Sequence, residues 1–173
     1  MMRVLIISDT HGHLENLKRV VKKIRKVDYC IHCGDVEGDE DVIPDIVGAP
    51  CTFVRGNNDF GGNLPKEQVV TLEGHRILVT HGHYYGVAWD TRELVELAKE
   101  FNCDVAMYGH THRPDVQIAT KPGAVTIINP GSLQYPRQEG RKPSYIVMEI
   151  DRMGKLHFTV NYLSRSGKIS FWG

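Results

Sequence analysis

Five short apolar runs in this chain each lead directly into a turn that is rich in glycine, aspartate, asparagine or histidine. Continuous apolar runs of this kind are typical of strands that are covered on both faces of a sheet. In α/β sheets, ligands bind outside the carboxyl ends of the strands, so we expect the five turns to meet in one crevice. In chain order, the turns are Asp9-Thr10-His11, Gly34-Asp35, Gly56-Asn57-Asn58-Asp59, His81-Gly82-His83 and Gly109-His110-Thr111-His112.

The first part of the chain alternates between strand and helix patterns. Apolar residues at helical spacing, with lysines between them, indicate a helix over 14–24, and a second amphipathic pattern covers 91–101. A shorter helix, interrupted near Pro44, is predicted over 41–47. Predicted strands cover 4–7, 29–33, 52–54, 69–72, 77–80 and 105–108, and the fourth and fifth of these flank a hairpin turn.

The last part of the chain is rich in strands. Predicted strands at 125–128, 145–150 and 156–163 follow one another without a helix between them. An alternating part followed by a strand-rich part predicts an α/β fold in which two packed sheets are flanked by helices. We expect one domain over 1–173, with 164–173 as a C-terminal tail.

Composition places the chain among globular proteins without excess charge. Of its 173 residues, 41% are hydrophobic and 24% are charged, which is far from the composition of a disordered chain. Its 21 basic and 21 acidic residues balance, whereas bulk binding to nucleic acid or to a membrane surface usually shows a basic excess. The apolar run at 4–7 is too short for a signal peptide, and no run has the length of a membrane span, so the expected compartment is the cytoplasm.

Cys30-Ile31-His32-Cys33 has the spacing of a zinc or redox motif. No second cysteine pair has a matching spacing, and the motif lies inside an apolar stretch. We therefore interpret Cys30 and Cys33 as buried strand residues in a reducing compartment. His32 is interpreted as a core histidine with satisfied hydrogen bonds, and His75 and His157 as surface or core histidines without a functional role.

The five turns hold more metal ligands than one ion needs. They contain three carboxylates, two carboxamides and five histidines, a mixture that suits manganese, iron or zinc. A carboxylate can also bridge two ions, which together hold a nucleophile and bind a phosphoryl oxygen. Each turn alone has an ordinary explanation as a helix cap, a tight turn or a surface histidine. Their joint occurrence after five apolar runs predicts a two-metal hydrolase.

The ordered set of turns resembles the calcineurin-like metallophosphoesterase superfamily. The short chain, the Gly56-Asn57-Asn58-Asp59 turn and Asn129-Pro130-Gly131-Ser132 are similar to its small bacterial and archaeal phosphodiesterases, the YfcE-like group. The motifs span 9–132, and as a set they are highly specific. The resemblance implies a four-layer α/β/β/α sandwich of two mixed β-sheets flanked by helices, with a dinuclear site at one edge.

The resemblance also implies a set of ligands and cofactors. The cofactors are two divalent ions, with Mn²⁺ expected first and Ni²⁺, Fe²⁺ or Zn²⁺ accepted by the same ligands. The nucleophile is a hydroxide that bridges the two ions, and Asp59 orients a neighbouring group. One ion is bound by Asp9, His11, Asp35 and His112, and the other by Asp35, Asn57, His81 and His110.

The chain departs from the family pattern in two places. Many relatives have a histidine a few residues after Gly-Asp, whereas Gly34-Asp35-Val36-Glu37-Gly38 has none, as is often the case in the small phosphodiesterase group. Many relatives carry histidine where this chain has Asn58, and that histidine acts as an acid toward the leaving group or stabilises the transition state. An amide cannot deliver a proton, so His83 and His13 are the candidate substitutes. The candidate catalytic residues are thus Asp35, Asn58 and His83. For Asn129-Pro130-Gly131-Ser132 two alternatives stay open, namely backbone amides that bind phosphate and a plain turn.

These features together predict a cytoplasmic, dinuclear metal-dependent phosphodiesterase that acts on small or activated phosphodiesters. The alternatives are a phosphomonoesterase or nucleotidase, and a protein-binding scaffold of the same fold. The expected partner is a small-molecule phosphodiester, without nucleic acid or membrane. Tyr84, Tyr85 and Trp89 leave three alternatives, which are a contact in a homo-oligomer, a wall of the substrate site, or ordinary packing.

Overall fold

The computed structural model of the protein describes residues 1–164, so the tail predicted at 164–173 falls, apart from Ser164, outside the described residues. The helices are α1 (Glu15–Lys23), α2 (Ile43–Val47) and α3 (Arg92–Glu100), and a 3-10 turn covers His83–Tyr85. The strands are β1 (Met2–Ile7), β2 (Tyr29–His32), β3 (Cys51–Phe53), β4 (Glu67–Leu72), β5 (His75–Thr80), β6 (Val105–Met107), β7 (Pro114–Gln117), β8 (Thr126–Pro130), β9 (Ser144–Ile150) and β10 (Leu156–Tyr162).

The strands form two mixed five-stranded sheets. In the first sheet the order is β10-β9-β1-β2-β3; β1, β2 and β3 run parallel, and β9 is antiparallel to both of its neighbours. In the second sheet the order is β4-β5-β6-β8-β7; β5, β6 and β8 run parallel, and the outer strands β4 and β7 are antiparallel to their neighbours. The α/β fold predicted from the sequence is confirmed.

Alternation along β1 shows how the layers are built. Val4 and Ile6 point into the core between the two sheets, whereas Leu5 and Ile7 point to the opposite face, where the first two helices pack. Successive side chains of a strand point to opposite faces, so an uninterrupted apolar run requires a covering layer on each side. The first sheet therefore lies between helices and the second sheet.

Amphipathic helices cover the two outer faces. Leu17 and Val20 of α1 are fully buried against the first sheet, and Leu94 and Ala98 of α3 are fully buried against the second. Fully burying a leucine or valine side chain contributes about 1.5–3 kcal/mol, so each face anchors its helix. Within residues 1–164, no helix is long and apolar enough to cross a membrane. The order of the layers confirms the predicted α/β/β/α sandwich.

Two local features differ from the sequence prediction. The sequence pattern does not reveal β7, because Pro114 starts it and its other residues are only partly buried or exposed. Proline is tolerated there since, in the described part of the chain, β7 is an edge strand that pairs with β8 alone. In α2, Pro44 lies in the first turn, where its missing N–H costs nothing, and it does not interrupt the helix. Cys30 and Cys33 are both buried free thiols, as predicted, but only Cys30 lies in a strand, since β2 ends at His32.

Candidate metal centre

The turns that follow the parallel strands are joined to one another by hydrogen bonds. The amide of Asp9 donates to the carbonyl of Gly34 at 3.0 Å, and the amide of Gly109 donates to the carbonyl of His81 at 3.2 Å. The two sheets are linked by Nδ1 of His81, which donates to the carbonyl of Cys33 at 2.7 Å. The carboxyl ends of β1, β2, β5 and β6 therefore meet in one crevice, as strand order in an α/β sheet predicts.

Five of the predicted ligands have a backbone conformation that residues other than glycine rarely adopt. Their φ angles lie between 49° and 66°, in the left-handed region. Such a residue costs roughly 1–3 kcal/mol and persists only where its surroundings fix it. The fold thus tolerates local strain at the positions that aim these side chains into the crevice. The five residues are Asp9, His11, Asp35, His110 and His112.

Two glycines allow the turns to approach one another closely. A Cβ atom on Gly56 would lie 2.1 Å from Oδ1 of Asp35, and one on Gly109 would lie 2.1 Å from the hydroxyl oxygen of Ser8. Both distances are far below van der Waals contact, and both neighbouring side chains are buried. Close packing of the turns therefore requires glycine at these two positions.

The first group of predicted ligands forms a compact cluster, which we call the Asp9 cluster. One ligand atom from each of its four residues lies within 4.8 Å of all the others. Nε2 of His112 lies 3.0 Å from Oδ1 of Asp9. Both carboxylate oxygens of Asp9, and Nε2 of His11, are buried without a hydrogen-bond partner in the described part of the chain. The cluster consists of Asp9, His11, Asp35 and His112.

Hydrogen bonds on the far side of two rings determine which nitrogen faces the Asp9 cluster. Nδ1 of His112 lies 2.7 Å from the carbonyl oxygen of Tyr135, and Nδ1 of His11 lies 2.7 Å from Oε1 of Glu37. Carbonyl and carboxylate oxygens only accept hydrogen bonds, so each Nδ1 carries a proton, and in the neutral ring each Nε2 directs a lone pair inward. Outer partners of this kind orient the histidine ligands of metal sites.

The charges in the Asp9 cluster favour a cation at its centre. Burial raises the pKa of the Asp9 carboxyl, but His112 and His81 outweigh burial and hold that pKa below its usual range. Burial lowers the pKa of His112, but the Asp9 carboxylate outweighs it, and the net pKa of the ring is raised. A proton between His112 and Asp9 satisfies both atoms, and a divalent ion competes for the same position. The donor set therefore fits a metal ion.

The second group of predicted ligands, which we call the Asn57 cluster, consists of Asn57, His81 and His110 together with the shared Asp35. Oδ1 of Asn57 lies 3.1 Å from Nε2 of His81 and 2.9 Å from Nδ1 of His110. Because Nδ1 of His81 carries the proton, its Nε2 is an acceptor that faces the acceptor Oδ1 of Asn57. Two acceptors at this separation repel one another unless a proton or a cation lies between them, so this group also fits a divalent ion.

Asp35 lies between the two clusters. Its Oδ2 is 3.7 Å from Nε2 of His11 and 3.5 Å from Nε2 of His81. The backbone amide of Asn58 donates to Oδ1 of Asp35, and the side-chain amide of Asn58 donates to Oδ2, both at 2.8 Å. This is the position that the family resemblance assigns to a bridging carboxylate. Asn58 orients that carboxylate in the structure, and its catalytic role stays a prediction.

Asp59 holds the turn that carries Asp35. Its two carboxylate oxygens accept hydrogen bonds from the amides of Asp35, Val36, Glu37 and Gly56 at 2.7–2.9 Å. Hydrogen bonds to an ionised acceptor are about twice as strong as neutral ones, so this carboxylate is a strong anchor for the turn. The sequence predicts that Asp59 orients a neighbouring group, and the structure identifies that group as the backbone of the Asp35 turn.

The sequence does not assign His32, Glu37 or the carbonyl of Tyr135 to the site. His32 is completely buried; the amide of Gly34 donates to its Nδ1 at 3.2 Å, so its Nε2 carries the proton that bonds the hydroxyl of Thr10 at 2.9 Å. The ring therefore ties the turn after β1 to the turn after β2, and burial lowers its pKa to about 4. Its interpretation as a core histidine with satisfied hydrogen bonds is confirmed, but nothing in its spacing signals the contact with these turns.

The end of β8 and the turn that follows it are hydrogen-bonded to the turns that carry the predicted ligands. Nδ2 of Asn129 donates to the carbonyl of Gly109 at 2.9 Å, and Oδ1 of Asn129 accepts from the amide of Gly131 at 2.8 Å. The hydroxyl of Ser132 donates to the carbonyl of Asp9 at 3.1 Å. Because these polar groups are already bonded to the protein, the structure favours the turn over the phosphate-binding alternative.

His83 lies beside the Asn57 cluster, and His13 does not. The ring centroid of His83 is 5.3 Å from that of His81 and 6.1 Å from that of His110, and its Nδ1 is buried without a partner in residues 1–164. Burial, together with the rings of His81 and His110, lowers the pKa of His83 to about 4. His13 is exposed, 6.4 Å from the ring of Tyr135. The geometry therefore favours His83, and its catalytic role stays a prediction.

The aromatic residues after His83 are not all packing residues. Trp89 exposes 93% of its surface and Tyr84 exposes 55%. Tyr85 is partly buried, and its hydroxyl donates to Glu67 at 3.0 Å. Ordinary packing therefore explains Tyr85, whereas a subunit contact and a substrate wall stay open for Tyr84 and Trp89.

Comparison with known proteins identifies the class. Residues 2–153 match the calcineurin-like phosphoesterase superfamily domain. The match covers most of the chain, so this protein belongs to the calcineurin-like phosphoesterase superfamily. The family is metal-dependent, which agrees with the candidate metal-binding group formed by the Asp9 cluster.

Individual relatives agree with this assignment. The probable metallophosphoesterase YsnB of Bacillus subtilis is 35% identical over 96% of this chain and 93% of its own length. Phosphodiesterase YfcE of Escherichia coli is 30% identical over 87% of this chain and 89% of its own. The crystal structure of a conserved uncharacterised protein of Streptococcus pneumoniae, described as a predicted phosphoesterase, superposes with a TM-score of 0.77 at 30% identity, covering 95% of this chain and 90% of that one. These similarities confirm the family and the fold implied by the sequence resemblance.

Proposed function

We propose that this protein is a dinuclear metal-dependent phosphodiesterase that hydrolyses small or activated phosphodiesters. The observation that carries the proposal is the pairing of acceptor atoms. Lone pairs of His112 and His81 face Oδ1 of Asp9 and Oδ1 of Asn57, respectively. Two such positions with Asp35 between them fit two divalent ions better than one. Among the relatives, YfcE is named a phosphodiesterase.

The chain would bind the two ions through the Asp9 cluster and the Asn57 cluster, with Asp35 shared. When bound, such ions lower the pKa of a coordinated water to near neutrality and stabilise charge on a phosphoryl oxygen. The ligands carry two negative charges, those of Asp9 and Asp35, so two divalent ions leave the site positive toward a phosphodiester anion. We propose Mn²⁺, with Ni²⁺, Fe²⁺ and Zn²⁺ as ions that the same ligands accept.

This chain offers few groups that can donate a proton or a hydrogen bond to the leaving oxygen. Asn58 cannot deliver a proton, and its amide is already bonded to Asp35. His83, beside His81 and His110, is the proposed hydrogen-bond donor to the leaving oxygen. Activated esters, whose leaving groups are stable as anions, should therefore be the better substrates. A cytoplasmic location and a small-molecule substrate are part of the proposal.

The test combines metal content with substrate class. Purified protein is supplemented with Mn²⁺, its metal content is measured by elemental analysis, and the hydrolysis of bis(p-nitrophenyl) phosphate is compared with that of p-nitrophenyl phosphate. We expect two ions per chain and faster hydrolysis of the diester. Faster hydrolysis of the monoester would favour a phosphomonoesterase or nucleotidase. A protein that binds no metal under these conditions would favour the scaffold alternative.

A further inference from the structure

Two arginines lie on the outer side of the Asp9 cluster. Arg113 follows His112 directly, and the amide of Arg137 donates to the carbonyl of His112 at 2.9 Å. Both side chains are exposed. Within residues 1–164, the arginine ion pairs are those of Arg3 and Arg92, so neither Arg113 nor Arg137 is neutralised by a carboxylate there. The backbone of both arginines is thus next to a predicted metal ligand.

These arginines line two adjoining pockets. The first has a volume of 490 Å³ and is also lined by His110 and Thr111, so it borders a predicted ligand of the metal centre. The second has a volume of 540 Å³, shares both arginines with the first and adds Arg141. Binding sites for small molecules commonly have volumes of ~300–1,000 Å³, so each pocket has room for a substituent of a substrate.

The pockets are positively charged although the chain has no net charge. One carboxylate, Asp115, lines the first pocket. It accepts hydrogen bonds from Gln117 at 2.6 Å and from the hydroxyl of Tyr108 at 3.5 Å, which are both neutral groups. The residues that line the second pocket include three arginines and no acid. An anion that enters here therefore meets an excess of positive charge.

The guanidinium group explains which anion fits. It is a planar fork of donors that matches the oxygens of a phosphate or a carboxylate, and it stays charged at every physiological pH. We propose that the substrate carries, besides the scissile diester, a second anionic group that binds to Arg113 and Arg137. This inference rests on the proposed function, because His110, which lines the first pocket, is a proposed ligand of the ions that would bind the scissile diester. The balanced net charge favours a small anionic substituent over a nucleic-acid chain.

The test uses a pair of substrates that differ only in the second anion. The p-nitrophenyl ester of thymidine 5′-phosphate is compared with the same ester that carries an additional 3′-phosphate, and a 3′-O-carboxymethyl ester separates phosphate from carboxylate. A charge-assisted hydrogen bond at an exposed site should raise kcat/KM by about tenfold for one or both anionic esters. Arg113→Gln and Arg137→Gln should each reduce this gain, and the double variant should abolish it.

A matched control shows that the effect is local. Arg152→Gln removes the same charge from an exposed turn that follows β9, whose last residue, Ile150, pairs with Met2 at the opposite end of β1 from the site. This variant should keep the full gain. A second readout does not depend on turnover: thymidine 3′-monophosphate should bind metal-depleted protein more tightly than thymidine does, and the double arginine variant should lose the difference.

The outcomes separate this inference from the proposed function. If the wild type hydrolyses all three esters at equal kcat/KM, the anion pocket is wrong and the proposed function stands. If the double variant keeps the gain, these arginines do not bind the second anion. If no ester is hydrolysed, the proposed function fails, and binding of thymidine 3′-monophosphate decides the pocket alone. Arginine-dependent binding of a single-stranded oligonucleotide without any gain from the 3′-anion would overturn the inference in favour of a nucleic-acid surface.

Discussion

The Asp9 cluster and the Asn57 cluster use similar residues but differ in charge. The Asp9 cluster contains two carboxylates, Asp9 and Asp35, whereas Asn57 contributes a neutral amide and relies on the shared Asp35. The ring of His11 in the Asp9 cluster bonds the carboxylate of Glu37, whereas the ring of His81 in the Asn57 cluster bonds the backbone carbonyl of Cys33. Greater negative charge binds a divalent ion more tightly, so we expect the two positions to fill in order, with the Asp9 cluster first.

The two metal positions are coupled through the carboxylate that they share. Asp35 is in contact with both clusters, so its loss should affect both ions, whereas a change in Asn57 should separate them. His32 links the turns after β1 and β2, which carry ligands of the Asp9 cluster. Its titration should therefore change the stability of the protein without removing a ligand.

The largest effect is expected from replacing the shared carboxylate. Asp35→Asn keeps the shape of the side chain but removes its charge. Losing an outer partner of a ligand already costs ~10–100-fold, so kcat/KM should fall by more than ~100-fold and both ions should be lost. Elemental analysis and hydrolysis of bis(p-nitrophenyl) phosphate measure this. Asp45→Asn, an exposed carboxylate on α2, is the charge-matched control. Wild-type metal content and a near wild-type rate in Asp35→Asn would show that the site assignment is wrong.

The second prediction concerns His32 and pH in metal-depleted protein. The folded ring stays neutral down to a pKa of about 4, whereas its ordinary value is 6.5. Between these values the unfolded chain binds more protons, so the free energy of unfolding falls as the pH is lowered through this window. The His32 ring should therefore lower the free energy of unfolding by roughly 3 kcal/mol between pH 7 and pH 4.

The measurement for His32 is a pair of stability profiles. Chemical denaturation of wild type and His32→Gln is followed from pH 7 to pH 4. The glutamine stays neutral, so the variant should lose less stability on acidification even if it is less stable at pH 7. Two parallel profiles would mean that the buried ring does not carry this pH dependence.

The third prediction separates the two positions. Asn57→Ala removes a ligand of the Asn57 cluster and leaves the Asp9 cluster intact. In a calorimetric titration with Mn²⁺, the weaker binding event should become ~10–100-fold weaker, while the tighter event should persist. Asn63→Ala, an exposed asparagine in the following loop, should leave both events as in the wild type. Equal weakening of both events by Asn57→Ala would contradict the expected order of filling.

The smallest effect is expected from Asn58→His, which adds a titratable donor beside the Asn57 cluster. General acid catalysis contributes ~10²–10⁴-fold when optimised, and an unoptimised donor should recover only part of that. The variant should gain relative rate on alkyl or monoester substrates and depend less steeply on leaving-group acidity. A leaving-group series for both proteins at matched metal content measures this. Because Asn58 also bonds Asp35, a uniform loss of all rates would show that position 58 only orients that carboxylate.

Much of the fold could be predicted because it depends on local patterns. The apolar run at the start of the chain predicts a strand covered on both faces, and Leu5 and Ile6 indeed face different cores. The spacing of Leu94 and Ala98 predicts the buried face of α3. In contrast, β7 could not be predicted, because an edge strand needs only one paired side and carries little apolar signal.

The candidate ligands can be identified from local patterns, because each follows an apolar run and strand ends share one edge of a sheet. The orientation of their side chains, by contrast, depends on contacts made in the folded protein. The inward lone pair of His112 depends on the carbonyl of Tyr135, and the position of Asp9 depends on Ser132, which is 123 residues away in the chain. Apolar periodicity encodes which side chains are buried, but it does not encode which polar atoms they meet. Hydrogen-bond partners, tautomers and the contact of Arg137 with His112 are properties of contacts between distant segments, and they exist only once the chain has folded.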